Sequence, residues 1–157
     1  TMKTRELQTL WWDWLSTSER LLRSLHEQTA ALTLRDVARV ERIQPELDSL
    51  LDAIRAIDDK AAACACKLAE ECGTEPNLRG LASALEKAES QQVQSMANRI
   101  TVVARNVQDV IAKNRKLIES EMTYVNGTLS LIAKAANEAQ GPYQPSPHSA
   151  VLVDQAA

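Results

Sequence analysis

Few side chains in this sequence have the types and spacing for chemistry, and none of them converge. Cys64, Cys66 and Cys72 stand in the run CACKLAEEC, where a thiol metal site or a redox pair would have to begin. On a helix, Cys64 and Cys66 point about 200° apart, and no histidine stands near to complete a tetrahedral ligand set. They read instead as reduced thiols, small buried or half-buried side chains of an odd-numbered cluster. His26 and His148 are the only histidines, and neither belongs to an E-x-x-H or H-E-x-x-H arrangement, which removes di-iron bundle and zinc-protease chemistry. The chain has no glycine-rich phosphate loop and no G-x-S-x-G elbow. Asp58 and Asp59 are adjacent carboxylates that follow a helical stripe and read as solvated surface. Asn114 lies on an otherwise apolar seam. Two roles stay open for it, a buried amide fixing helix register or an anchor for a partner's backbone. No catalytic, cofactor or metal site is expected, so the function is sought in binding.

Composition sets the frame for such a surface. The 157 residues are 45% hydrophobic and 25% charged, with four glycines, five prolines and 3% aromatics, the usage of a single all-α domain. Net charge is −3 with both signs interleaved, so no face is basic enough to bind nucleic acid by releasing counterions. No apolar run approaches the ~20 residues that span a bilayer, and the opening TMKTRELQTL lacks the apolar core of a secretory signal. A cytoplasmic protein is expected, with Met2 as its natural start.

The first helix is predicted over about residues 4–32. Leu7, Trp11, Trp14, Leu21, Leu25 and Leu32 keep heptad-like spacing, with Ser18 and Gln28 as polar exceptions. Leu10, Leu15 and Leu22 widen the stripe, which implies contact with two neighbouring helices. The sequence LWWDWL holds all three tryptophans in a chain without phenylalanine. Trp11 and Trp14 share the leucine face and are expected to be largely buried, whereas Trp12 points about 100° away and is expected to be the most exposed, as a contact surface for a partner.

Asp36 is predicted to cap the second helix, Pro45 to kink it or to split off residues 36–44, and Gly73 to close it. In GTEPNLRG, Thr74 and Pro76 take the cap and first-turn positions of a short helix carrying Leu78, Leu81 and Leu85. A last helix is predicted from about residue 90 to 139. Its seam runs through Val93, Met96, Ile100, Val103, Val107, Ile111, Asn114 and Ile118, then continues after a four-residue offset through Met122, Val125, Leu129, Ile132 and Ala136. At 1.5 Å per residue it spans about 70 Å against about 42 Å for the first helix, so part of its apolar face must lack that neighbour or find another. The expected architecture is an elongated antiparallel bundle of three long helices plus a short connector helix over residues 1–140. A flexible Pro/Ser-containing tail follows over 141–157, with Tyr143 as its one aromatic.

Three stretches carry a family resemblance: AALTLRDVARVERIQPELDSLLDAI (residues 30–54), IAKNRKLIE (111–119) and GPYQP (141–145). Together with the all-helical plan they resemble the FlgN-type flagellar export chaperones. That family's long helix has two asparagines before a glycine. Here Asn114 is retained, while Ile111 and Arg115 stand at the other two positions, and a proline-rich run replaces the glycine that often follows the tail tyrosine. The resemblance implies a type III export chaperone for hook-associated, hook-filament junction proteins, holding the cargo's C-terminal amphipathic helix along its last helix. It also implies that the tail with Tyr143 docks on a membrane protein of the flagellar export gate.

Helix-in-groove recognition agrees with the residue reading, since a cargo helix would shield Val125, Leu129, Ile132 and Ala136. The candidate partner-binding residues are therefore Asn114, Val125, Leu129, Ile132, Ala136, Tyr143 and Trp12. The alternative is a structural coiled-coil adaptor whose long helix serves homo-oligomeric self-association. Remotest is an enzyme with a site built from Asn114, Tyr124 and nearby carboxylates, for which the sequence offers no positive feature.

Overall fold

Helix-stop chemistry shapes the chain from its first turn. In the computed structural model, which describes residues 3–140, helix α1 (Arg5–Thr33) ends with the N–H groups of Arg35 and Asp36 donating back to the carbonyls of Leu32 and Ala31. This is the Schellman closure, with Arg35 in the left-handed region at φ 55° where glycine is the usual occupant. Helix α2 (Val37–Cys72) starts at the expected cap, the Asp36 carboxylate accepting from the Arg39 N–H at 3.1 Å. It ends on a second Schellman closure at Gly73, φ 68°. Pro45 lies inside α2 without splitting it, so residues 37–44 and 46–72 form one helix.

The connector helix α3 (Leu78–Ala84) corrects the expected cap. Asn77, not Thr74, holds the N-cap position, its side chain accepting from the Gly80 N–H at 2.7 Å. Asn77 has the extended backbone a cap requires, and Pro76 sits one residue before it and outside the first turn. Gly80 is fixed by space, because a Cβ there would lie 2.8 Å from the Glu75 carbonyl oxygen. Helix α4 (Lys87–Gln140) begins about three residues earlier than its pattern suggested. Among the described residues there are four helices and no strand, which agrees with the all-α reading of three long helices and a short connector. The expected tail, residues 141–157 with Tyr143 and His148, lies outside the described residues.

The chain divides into two compact units, Thr1–Asn114 and Arg115–Ala157. In the first, Leu21, Leu25 and Ala31 of α1 pack on Ile43, Leu47 and Leu50 of α2, while Leu7 packs on Leu68 and Ala69, so the two helices run antiparallel. Leu81 of α3 closes the second cluster, and Val107, Val110 and Ile111 of α4 lie against the first. Polar links between α1 and α4 join positions 85 to 89 apart at both ends of α1, which sets these helices parallel.

The three tryptophans serve three surfaces. Trp14 is buried, and its indole lowers the Asp58 carboxyl of α2 against the larger raising effect of burial. Trp11 is only half-buried, at the margin of the Leu7 cluster, so of the two rings expected to be largely buried Trp14 is the one in the core. Trp12 is the most exposed of the three, at 50%, with the Arg99 guanidinium 5.4 Å from its ring centre.

Candidate functional site

The helix of the second unit carries the most unusual run in the chain. From Met122 to Ala133, MTYVNGTLSLIA contains no charged residue, although a quarter of the whole chain is charged. A helix segment of this composition is ordinarily interior. Here Val125, Leu129 and Ile132 are 43%, 40% and 60% exposed, and Ala136 is exposed as well. Their three- and four-residue spacing places them on one face. Ile118, assigned by the sequence to the interior seam, is exposed too and extends this face toward the N-terminal side.

Two exposed apolar residues lie off that stripe: Leu131, at 70% exposure, which the sequence reading missed, and Tyr124, which it considered only for an enzyme site. The available signal was the charge-free run itself, since an uncharged segment needs no apolar period to be notable. Asn126 and Asn137 stand eleven residues apart on nearly one line of the helix. Each is half-buried, with an amide oxygen shielded from water and without a hydrogen-bond partner. Gly127 has open space around the position of a Cβ, so packing does not require a glycine there.

Asn114 belongs to the first unit, and of its two open roles the internal one is occupied. It is 2% exposed. Its Nδ2 donates to the Leu25 carbonyl at 3.0 Å and to Gln28 Oε1 at 2.8 Å, and the Thr29 hydroxyl donates to its Oδ1 at 2.6 Å. Two acceptors facing one side and a donor facing the other fix the amide's orientation. With its donors and acceptor engaged by α1, Asn114 makes the bonds that a register-fixing amide requires. The same network explains Gln28, the polar exception on the α1 stripe. Ser18, the other exception, is buried with no partner for its hydroxyl.

A second polar link ties the start of α1 to α4. Thr4 donates to Glu89 Oε1 twice, through its N–H at 2.8 Å and its hydroxyl at 2.7 Å. Burial pushes the Glu89 carboxyl up, but these bonds, the Lys3 N–H and the Lys3 ammonium together bring it below its ordinary value. Nothing local in the sequence signalled this pair, since it depends on the parallel register of two helices.

The remaining chemical candidates stay apart. Cys64 and Cys72 are half-buried and Cys66 exposed, all three as free thiols, and burial pushes the Cys64 thiol up. Asp58 and Asp59 are both exposed. Partial burial raises the Asp58 carboxyl, against the lowering effect of the Trp14 indole. Among the described residues, no three His, Cys, Asp or Glu side chains gather closely enough to hold a metal ion. No helix there is long and apolar enough to cross a membrane. A family model described as FlgN protein matches residues 2–147, almost the whole chain. No curated protein and no solved structure matches it.

Proposed function

The chain belongs to the FlgN family of flagellar export chaperones, and from that premise we propose that it captures the C-terminal amphipathic helix of a hook-filament junction protein along residues 118–136 of α4. The observation that carries this reading is the exposure of Val125, Leu129 and Ile132 at helical spacing in a run without charge. Full burial of such a side chain is worth about 1.5–3 kcal/mol, and roughly half of each is still exposed, so covering these three would contribute about 2–4 kcal/mol. That suits a reversible holder, because a cargo held mainly by apolar contact is released without any chemistry in the chaperone.

Tyr143 enters as the docking residue for a membrane component of the export gate. Its separation from the stripe by a proline-containing segment lets the two partners be held at once. Capture of the C-terminal segments of hook-associated proteins, each presented as bait to the whole chain and to the Leu129→Asp/Ile132→Asp variant, tests the proposal. Retention of one segment by the unaltered chain and its loss from the variant is expected. Equal retention by both would place the binding surface elsewhere.

A further inference from the structure

We propose that residues 146–157 of this chain dock along a line of α4 marked by Met122, Asn126, Ala133 and Asn137, and bring hydrogen-bond donors to the Asn126 and Asn137 amide oxygens. Between residues 122 and 138 these four are half-buried and every other residue is exposed. At 100° per residue the four fall within about 60° of one another. Val125, Leu129, Ile132 and Ala136 centre about 80° away, so the line flanks the exposed stripe without coinciding with it.

A helix that meets nothing is wet on every side, and half-burial confined to one line therefore marks a face with a neighbour. The two amide oxygens narrow the choice of neighbour, since each is shielded from water and has no hydrogen-bond partner. Buried amide oxygens are nearly always bonded, so the segment that completes this line must carry N–H or O–H donors.

Three features select the chain's own C-terminal segment. Besides α4, the second unit contains only residues 141–157. Reach and register also agree. Asn137 stands just before the end of α4 at Gln140, and the pair Gly141-Pro142 that follows suits a reversal of the chain. With residues 141–145 forming that reversal, an extended run at about 3.3 Å per residue brings residue 149 level with Ala133 and residue 152 level with Asn126. The chemistry matches as well, because residues 141–153 contain no Asp, Glu, Lys or Arg and the line they would cover is uncharged. Ser146, His148 and Ser149 offer side-chain donors toward Asn137, while Val151, Leu152 and Val153 offer apolar cover toward Met122. Docked there, the segment leaves Val125, Leu129 and Ile132 open and forms a wall beside them. The inference does not rest on the cargo reading and is tested without cargo.

Disulfide trapping in the full chain, with Cys64, Cys66 and Cys72 replaced by serine, tests the docking. Ala133→Cys combined with Ser149→Cys should close an intramolecular disulfide at least tenfold faster than Leu131→Cys combined with Ser149→Cys, since position 131 lies about 160° round the helix from 133. The two pairs enclose nearly equal lengths of chain, so a segment with no preferred face would close them at similar rates, and that result would overturn the proposal. Adding Asn126→Ala and Asn137→Ala to the first pair should slow closure at least fivefold, and an unchanged rate would overturn the assigned bonds. Disulfides between chains that rise with protein concentration would assign the line to a second copy. An arm without any substitution in α4 ends the chain at Pro145. Amide exchange across residues 122–138 should then quicken relative to the full chain, and identical exchange would refute the docking.

Discussion

Removal of the Asn114 amide is the sharpest probe of how the first unit is held. In Asn114→Ala, Gln28 Oε1 loses its bond from Nδ2 and stays buried at 7% exposure, whereas the Thr29 hydroxyl, released from Asn114 Oδ1, turns its proton to the Leu25 carbonyl 3.0 Å away. One orphaned buried acceptor costs about 1–3 kcal/mol. The small cavity left beside it adds about 1 kcal/mol, for an expected loss of about 2–4 kcal/mol in urea denaturation. Asn114→Leu should cost nearly as much, since the orphan persists. The double variant Asn114→Leu/Gln28→Met replaces both partners with apolar groups of similar shape and should recover most of the loss, a favourable coupling of about 1–2 kcal/mol in the double-mutant cycle. Loss below about 1 kcal/mol for Asn114→Ala, or strict additivity in the double variant, would refute the buried-network reasoning.

Further outcomes follow from single features. Trp14→Ala should cost about 3–5 kcal/mol in denaturant unfolding, because a buried ring is lost, while Trp12→Ala should change stability by less than about 1 kcal/mol. Ser18→Ala should be neutral or stabilising by up to about 1 kcal/mol, since it removes a buried hydroxyl with no partner. Arg35→Gly should raise stability by about 0.5–1 kcal/mol by relieving a left-handed backbone. Glu89 has a folded-state carboxyl below its ordinary value of about 4.3, so the stability it contributes is present above that pH and is lost as pH falls through the depressed folded value. Glu89→Gln should accordingly be less stable than the unaltered chain at pH 7, with the gap closing below about pH 4 in acid titrations followed by circular dichroism.

What the sequence disclosed was the local part of this molecule. Asp36 and Gly73 act within a turn of their own positions, so their residue types sufficed to place both ends of α2. Thr74 and Pro76 misled because cap preference alone does not say which of several polar residues takes the extended backbone, and Asn77 took it. Helical periodicity found the buried face of α1, including Trp14, and identified Ser18 and Gln28 as exceptions. It was silent on why Gln28 is there, because its partner Asn114 lies 86 positions away. The same holds for Thr4 and Glu89, whose pairing needs the parallel register of α1 and α4. For the candidate site, spacing led to Val125, Leu129, Ile132 and Ala136, all of them exposed, yet it hid Leu131 and Tyr124. A search for one stripe discards apolar residues that fall outside it.

Amide hydrogen exchange of the full chain, alone and saturated with the C-terminal segment of a hook-associated protein, tests the cargo site most directly. Added protection should concentrate in residues 118–136, with little change in α1 or α2. Protection confined to the α1 surface around Trp12, with residues 118–136 exchanging as fast as in the free chain, would contradict it.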